Sequence, residues 1–235
     1  MPPSPHTPTA NKLLSALPPA DRERFVAGCD HVALEFSDVL YQPRKPLTHV
    51  YFPTTSLISL IMPIDAAASL EVGLVGDEGM FGIPLALDVD VSPVRAVVQG
   101  AGSALRMDAA AFARELGRSA PLQQLIHRYA YVHMSQLAQT AACTRFHVVE
   151  ARLARWLLMT QDRVHSNSFH ITQEFLAIML GVRRVGVTKA AGSLLAHKLI
   201  HYSRGNITVL NRRGLKSAAC GCYKADIDAY ARILG

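Results

Sequence analysis

The chain has 235 residues, of which 50% are hydrophobic and 18% charged, with a formal net charge of +6. This balance is typical of one large domain or two modest ones and excludes an intrinsically disordered protein. No apolar run approaches the roughly 18 residues of a membrane span, and four cysteines in this length do not make a disulfide scaffold, so we expect reduced thiols, a cytoplasmic location and no membrane partner.

The charge is unevenly distributed along the chain. Residues 145–216 contain twelve Lys and Arg against three Asp and Glu, a net charge of +9, whereas the remaining residues carry −3. A basic region attracts phosphate backbones and gains affinity from released counterions. Charge alone leaves a solvated basic face equally open, so the pattern indicates a nucleic-acid partner without establishing one.

The first 117 residues predict a tail and a β-domain. Residues 1–11 lack the apolar core of a secretory signal and predict a proline-stiffened, disordered tail. A helical pattern follows over 11–28. From about 31 to 107, short apolar or alternating runs are separated by Pro and Gly, which is typical of a small antiparallel barrel or sandwich. We assign 12–117 to this β-domain.

From residue 108 the hydrophobic period becomes helical. Asp108 can cap a short helix, and a long helix is predicted from about 121 to about 142. The long helix has apolar residues on more than one face, which favours packing against a second chain over burial within a single chain. We therefore assign 118–145 to a dimerisation helix.

A further helix is predicted over about 147–163, followed by a turn at 165–168 and a short strand at 169–171. The residues of this helix that we expect to face inward are Val148, Val149, Leu153, Trp156, Leu157 and Met159. We assign 146–235 as a whole to one C-terminal domain.

Residues 172–195 carry the most informative pattern in the chain. The small residue Ala177 is followed four positions later by Gly181 and after a further six by the β-branched Val187, which is the spacing of a helix-turn-helix. Gly181 ends the first helix because glycine adopts the left-handed conformation most easily. Other helical hairpins can imitate this spacing, so the outward residues decide the interpretation.

The outward residues around this turn favour DNA as the partner. Recognition helices meet bases near their start, and Arg184 is the best candidate there for a bidentate contact with guanine. Residues 199–210 predict a hairpin wing with Arg204 at its tip, near phosphate; an ordinary exposed turn arginine is the alternative. The predicted DNA-binding residues are Thr172, Gln173, Arg183, Arg184, Gly186, Thr188, Lys189 and Arg204.

The order of β-domain, long helix and winged helix-turn-helix resembles the Crp/Fnr superfamily of bacterial regulators over roughly residues 12–215. The segment 71–82 is similar to the family's barrel region. The other positions that carry the resemblance are Ile171, Thr172, Leu176, Ala177, Leu180, Gly181, Arg184, Val187, Leu199, Ile200, Gly205 and Ile207.

The resemblance implies an α+β fold with three parts. These are an N-terminal antiparallel β-barrel, which is a cyclic-nucleotide-binding-like jelly roll, then a long dimerisation helix and a C-terminal winged helix-turn-helix. It also implies that Arg184 reads guanine and that Lys189 is a nearby DNA contact. Val185 stands where the family often has an acidic residue and Arg183 where it has Ser, so the DNA specificity is expected to differ from that of the cyclic-AMP-responsive members.

An effector pocket is expected in the β-domain, at Gly79, Phe81, Gly82 and Arg95. Ile83 stands where the family has a Glu for the ribose hydroxyl, and Val94 stands at the position of the phosphate-binding arginine. A buried cyclic phosphate without an arginine lacks its main charge partner. Because strand residues alternate in direction, the neighbouring Arg95 is placed to face the other way. We expect an effector other than cyclic AMP.

The sequence therefore predicts a sequence-specific DNA-binding transcription regulator. Its expected partners are double-stranded DNA, a second copy of the chain, an unidentified small-molecule effector and RNA polymerase. A ligand-binding barrel without DNA binding is one alternative, against which the basic recognition helix argues. A cupin-like metal enzyme is another, but it needs clustered His and Glu ligands. Without a phosphate-loop or nucleophile-elbow motif, we expect no catalytic residues, no enzymatic activity and no cofactor.

The cysteines are the remaining candidates for a site. Cys29 stands alone in the N-terminal part, which excludes the N-terminal cysteine cluster of the iron–sulfur members of the family. Cys220 and Cys222, together with Cys143, can be interpreted as a redox or metal site, but C-x-C is a weak pattern and four ligands are not evident. We assign no metal ligands and expect structural thiols.

Overall fold

The computed structural model describes residues 11–65 and 68–235. Positions 1–10 of the predicted tail lie outside the described residues. Asn11, its last residue, is buried and caps the first helix by accepting a hydrogen bond from the N–H of Leu14. The Asn11 amide also donates to the carbonyls of Pro53 and Gly79, at 2.8 and 2.9 Å. Asn11 therefore belongs to the folded part of the chain.

Strands dominate the N-terminal half of the chain and helices the C-terminal half. The strands are β1 (Asp30–Leu34), β2 (Val39–Tyr41), β3 (His49–Pro53), β4 (Leu57–Pro63), β5 (Ser69–Val75), β6 (Arg95–Gly100), β7 (Gly102–Asp108), β8 (Ser168–His170), β9 (Ile200–Ser203) and β10 (Asn206–Val209). The helices are α1 (Lys12–Ser15), α2 (Pro19–Ala27), α3 (Ala109–Arg118), α4 (Ala120–Phe146), α5 (Val149–Val164), α6 (Gln173–Leu180), α7 (Arg184–Ala196), α8 (Arg212–Ala218) and α9 (Cys222–Leu234). A 3₁₀ helix spans Ile83–Leu87.

The sheets are antiparallel in the N-terminal part. One has the order β1-β7-β3 and another the order β2-β6-β4-β5. In the first, β7 is the centre, and Arg106 stands opposite both Asp30 of β1 and Tyr51 of β3. A third sheet, in the C-terminal part, has the order β8-β10-β9. The predicted α+β class is confirmed, and two sheets correspond to the predicted jelly-roll barrel.

Two compact units divide the chain. The first comprises residues 11–58 and 75–131 with Leu234, and the second comprises 59–74 and 132–233 with Gly235. Most of β4 and β5 is thus grouped with the C-terminal part of the chain, although the domain boundaries that we predicted run strictly in chain order. Those boundaries stay a prediction. None of the described helices combines the length and the apolar character that crossing a bilayer requires.

The first unit is built around an aromatic cluster. The Phe25 ring lies edge-on to Phe52, at 5.2 Å between centroids, and edge-on to Phe112, at 6.4 Å. All three side chains are buried, and such pairs add about 0.5–1.5 kcal/mol each beyond the area that they bury. Because Phe25 lies on α2, Phe52 on β3 and Phe112 on α3, this cluster joins the N-terminal helices to the sheet.

The helix boundaries differ from expectation at two places. Asp108 caps α3 as predicted, accepting hydrogen bonds from the N–H groups of Ala110 and Ala111. Helix α4 continues four residues beyond the predicted end, to Phe146, and that stretch contains no Gly or Pro to stop it. The inward placement of Val148 was wrong: its backbone is extended, it precedes the first turn of α5, and its side chain is 72% exposed.

Helix α5 organises the second unit through buried polar side chains. Arg155 forms an ion pair with Asp226 of α9 at 2.6 Å, with both side chains buried. Arg152 donates to the carbonyl of Leu180 at the end of α6. Burial of a charge costs several kcal/mol unless the charge is paired, so these contacts fix both neighbouring helices relative to α5.

A buried carboxyl group, Glu71 of β5, completes this set. It accepts hydrogen bonds from the Ser59 hydroxyl at 2.6 Å and from the Trp156 indole N–H at 2.7 Å. Burial raises the pKa of Glu71 to about 7, although those two hydrogen bonds and the charges of Arg163 and Arg155 act in the opposite direction. Glu71 is thus held by a tryptophan of α5, within the second unit.

Replacement of Glu71 should change how stability depends on pH. In Glu71→Gln the amide can still bond Ser59 and Trp156 but does not ionise. In the native chain the unfolded state loses its proton near pH 4.5 and the folded state near pH 7, so folding favours the protonated form and stability is lost as the pH rises between these values. Relative to the variant, the native free energy of unfolding should fall by up to about 3 kcal/mol.

Urea unfolding of both chains, measured between about pH 4 and 8, checks this expectation. Titrations of all other groups cancel in the difference between the two chains. A difference in free energy that stays constant over this range contradicts the raised pKa.

Candidate nucleic-acid interface

Helix α6 is defined at both ends by local interactions. The Thr172 hydroxyl accepts a hydrogen bond from the N–H of Phe175 at 3.1 Å and caps the first turn, while Glu174 places an acidic side chain near the positive end of the helix dipole. At the other end Gly181 has a φ of +59°, the left-handed conformation that glycine adopts without cost. The predicted start and stop of this helix are confirmed.

The turn after α6 brings the second helix back across the first. The N–H of Val182 donates to the carbonyl of Ala177 at 3.0 Å. Arg183 is extended and precedes α7, which begins at Arg184. A Cβ atom at Gly181 would lie 2.7 Å from the Leu70 side chain, so close packing as well as the backbone conformation favours glycine there.

Helix α7 has one buried and one exposed face. The buried residues are Val187, Ala190, Ala191 and Leu194. Five residues near the start of the helix are exposed: Arg183, Arg184, Val185, Thr188 and Lys189. This helix therefore presents cationic and small polar groups to solvent at its N-terminal end.

A three-stranded sheet forms a wing beside this helix pair. Strands β9 and β10 are joined by Arg204 and Gly205, which have φ values of +50° and +79°. Asn206, predicted as part of the turn, is the first residue of β10. The N–H of Ile171 donates to the carbonyl of Gly205 at 2.6 Å, and the Tyr202 hydroxyl donates to the carbonyl of Ile171 at 3.0 Å. These bonds hold the tip of the wing against the start of α6.

A cleft of about 360 Å³ lies between the helix pair and the wing. The described residues that line it are Thr172, Gln173, Arg184, Tyr202, Arg204 and Gly205, of which none is acidic. Four of the eight predicted DNA-binding residues are therefore brought together in one concave surface. Thr188 joins them through a hydrogen bond from its hydroxyl to the side-chain carbonyl of Gln173, at 3.0 Å.

The other three predicted residues lie around this cleft. Arg183 and Lys189 are exposed on α7. Gly186 is half-buried, and a Cβ atom there would meet Val182 at 3.7 Å, an ordinary contact. Gly186 thus faces the turn rather than the exposed side of the helix.

Tyr202 is a lining residue that sequence reasoning missed. Burial raises the pKa of Tyr202, and the positive charge of Arg184 opposes this shift, which indicates that the two side chains are close. Its position in the middle of a predicted wing strand, with His201 and Ser203 exposed on either side, was the signal available. Alternation along a strand points Tyr202 toward the helices.

The predicted effector residues occupy different environments in the first unit. A Cβ atom at Gly79 would lie 2.1 Å from the Tyr129 hydroxyl, so Gly79 allows close packing of that tyrosine. Phe81 is buried and exchanges two backbone hydrogen bonds with Tyr51, at 2.8 and 3.0 Å. Gly82 has a φ of +107°, and Arg95, at the start of β6, is exposed.

Known proteins resemble the chain in both its sequence and its fold. Residues 151–218 match the family model of the Crp-like helix-turn-helix domain. The structure of FixK2 from Bradyrhizobium japonicum, at 12% identity, aligns with a TM-score of 0.70 over 82% of this chain and 98% of that chain. The c-di-GMP-responsive global regulator CLP of Xanthomonas campestris, at 17% identity, aligns with a TM-score of 0.67 over 81% and 98%.

A CRP-family transcriptional regulator from Thermus thermophilus also has this fold. It is 17% identical, with a TM-score of 0.67 over 81% of this chain and 96% of that chain. No curated protein sequence matches the chain.

The fold and the cleft define the class of protein: this is a DNA-binding transcription regulator with a winged helix-turn-helix. Residues 151–218 are a Crp-like helix-turn-helix domain. The chain is a transcription regulator of the Crp/Fnr type, as the sequence resemblance implied.

Proposed function

We propose that two copies of the chain bind a two-fold symmetric site in double-stranded DNA. In each copy α7 enters the major groove while the β9–β10 turn lies on the phosphate backbone. The observation that carries this proposal is the cleft in which Arg184 and Arg204 come together without an acidic neighbour among its described lining residues. A major groove about 12 Å wide admits a helix, and exposed cations on both sides of the cleft match the two contact types that DNA offers.

Within α7 the exposed residues divide into two roles. Arg184 lies in the first turn and can present its planar guanidinium to the O6 and N7 atoms of guanine. Val185 is exposed beside it and can contact a thymine methyl group, which is an apolar feature of the same groove. Arg183 and Lys189 are placed to neutralise phosphates on either side.

The wing and the start of α6 supply positioning contacts. Arg204 sits at the tip of a two-residue turn, where a side chain reaches backbone phosphates rather than base edges. Thr172 and Gln173 open α6, and the free N–H groups and dipole at such a helix start favour phosphate. These contacts set the register of α7 but carry no sequence information of their own.

The dimer is proposed to form through the exposed side of α4. Tyr131, Met134, Ala138 and Ala141 are all exposed there and follow one another at intervals of three, four and three residues, which is the spacing of a coiled-coil seam. The Met134 side chain is 66% exposed and that of Tyr131 54%. A second copy of α4 would bury this apolar stripe and bring two recognition helices to neighbouring half-sites.

The effector is proposed to be a small molecule other than cyclic AMP or cyclic GMP, bound in the first unit. Arg95 is exposed, and Ile83 replaces the acidic residue that the family uses for the ribose. RNA polymerase is the further partner that an activating regulator needs, and a cytoplasmic location follows from DNA as the target. We assign the chain no catalytic role.

The dimer can be tested with one charge at the seam. Met134→Glu places two carboxylates opposite each other in the proposed coiled coil, and like charges at such a position are destabilising. Light scattering at micromolar concentration should show twice the 25.6 kDa chain mass for the native chain and a single chain mass for the variant.

Ile64→Glu is the matched control, because Ile64 is also 66% exposed and lies outside α4. It should leave the mass unchanged. A native chain that is monomeric with and without DNA, or a Met134→Glu variant that stays dimeric, contradicts the proposed seam.

The two arginines should differ in the kind of DNA contact that they make. A bidentate arginine–guanine pair discriminates by about 1–3 kcal/mol. Arg184→Ala should therefore weaken the cognate site by about 5- to 150-fold and relax the preference at one base pair of each half-site. Arg204→Ala should weaken all sequences nearly equally and lower the salt slope by about one per phosphate contact and subunit.

Competition binding at several salt concentrations measures both effects. The competitors are single-base variants of a site selected from random DNA. Lys224→Ala is the control for loss of charge, since Lys224 is exposed on α9 and pairs with Asp228. Uniform loss of affinity across the panel in Arg184→Ala would show that Arg184 does not read a base.

The effector assignment is tested by calorimetry with cyclic AMP, cyclic GMP and cyclic di-GMP, the last being the ligand named for the Xanthomonas regulator. We expect no binding of the first two at micromolar concentration, because a cyclic phosphate would lack a buried arginine partner. Micromolar binding of either that also tightens DNA affinity contradicts the assignment. Cyclic di-GMP serves as the comparison ligand of the same chemical class.

A further inference from the structure

The second unit contains a cluster of thiol and imidazole groups outside the DNA-facing surface. Cys143, His147, Cys220 and Cys222 each offer one potential ligand atom, and these four atoms all lie within 4.8 Å of one another. The Sγ atoms of Cys143 and Cys220 are 3.5 Å apart, as are Sγ of Cys222 and Nδ1 of His147. All three cysteines are buried and free.

Two chain segments supply these groups in pairs. Cys143 lies in the last turn of α4, and the N–H of His147 continues the helical pattern by donating to the carbonyl of Cys143, at 3.1 Å. Residues four apart on a helix share one face, so this pair points the same way. Cys220 and Cys222 flank Gly221 where α9 begins, and the short C-x-C spacing keeps both thiols on one side.

The size of the cluster fits a single metal ion. Tetrahedral Zn²⁺ binds Cys sulfur at about 2.3 Å and His nitrogen at about 2.0–2.1 Å, so two sulfur ligands of one ion lie about 3.8 Å apart. Separations of 3.5 to 4.8 Å bracket this value. Three cysteines and one histidine form a standard ligand set of structural zinc sites, with all four positions filled by protein.

The surroundings favour thiolates at this place. The Gln139 amide donates to Sγ of Cys222 at 2.9 Å. The charges of Arg152 and Arg155 interact with Cys143 and Cys220. Three thiolates around one divalent cation leave a net charge of −1, and the two buried guanidinium groups compensate it. Hydrogen bonds and charges of this kind are what orient metal ligands and raise their affinity.

We propose that Cys143, His147, Cys220 and Cys222 form a mononuclear structural site for Zn²⁺. Binding forms three Zn–S bonds and one Zn–N bond, and any thiol protons are released to solvent. The ion joins the end of α4 to the start of α9 at the point where the chain turns into α5. The site is independent of the proposed DNA contacts, which lie on α6, α7 and the wing.

The metal content of the full-length chain without a histidine tag, purified under reducing conditions, tests this proposal. We expect about one Zn²⁺ per chain by mass spectrometry of the metal. The metal-depleted chain should take up one Co²⁺ with the intense visible bands of tetrahedral coordination and a thiolate charge-transfer band. Zinc depletion should lower the melting temperature, because a ligand that binds only the folded state stabilises it.

Matched variants separate ligation from folding. Cys222→Ser and Cys143→Ser should lose stoichiometric metal, whereas Cys29→Ser, a cysteine of the first unit outside the cluster, should keep it. Gln139→Ala should keep the fold and weaken zinc affinity by about 10- to 100-fold. His147→Cys should retain the ion and shift the Co²⁺ bands, because it exchanges one ligand for another without removing it.

The opposite results are equally clear. A reduced native chain that is folded by circular dichroism but holds no Zn²⁺ and binds no Co²⁺ overturns the proposal. A Cys143–Cys220 disulfide formed by a chain that takes up no metal does the same. So does metal binding that is equal in Cys222→Ser, Cys143→Ser and Cys29→Ser.

Discussion

The position of the recognition helix depends on the need to pair buried charge on α5. Arg152 and Arg155 are buried, and each must find an acceptor that repays its lost hydration. Arg152 finds the carbonyl of Leu180, one of the unpaired carbonyls at the end of α6, and Arg155 finds Asp226. Because the turn begins directly after Leu180, the contact from Arg152 fixes the point at which α7 leaves α6.

The same burial changes how the basic region should be interpreted. The excess of +9 over residues 145–216 favoured nucleic acid, but it includes Arg152, Arg155 and Arg163, whose side chains are buried in the second unit. Another member, Arg212, pairs with Asp162 at 2.5 Å. The charge that faces solvent around the cleft is therefore smaller and more local than the count suggests. Position, and not net charge, supports the DNA interface.

Features set by neighbouring residues could be predicted from the sequence. Asp108 and Thr172 cap helices because their side chains reach N–H groups two or three positions ahead. Gly181 stops α6 because of its own conformation. The positions of Val148 and of the end of α4 were missed because two helices follow one another with only two residues between them, and apolar spacing does not show where one stops.

Features that join distant parts of the chain could not be predicted in this way. The bond from Trp156 to Glu71 links residues 85 positions apart, and it makes a segment of the β-domain part of the second unit. The metal cluster brings Cys143 to Cys220 over 77 positions. Only the local halves, a Cys and a His four apart and a C-x-C, are visible in the sequence, and His147 was overlooked because its partners are so distant.

Helix α4 unites the proposed dimer with the proposed metal site. Met134, Ala138 and Ala141 follow the seam spacing, whereas Gln139, Cys143 and His147 recur every four residues on another stripe of the same helix. Half-site spacing in DNA is set by the distance and angle between two recognition helices, and these are maintained only if the chain is stiff where α4 ends. An ion that binds both sides of the α4–α5 turn supplies that stiffness without occupying any surface that DNA or the second chain requires.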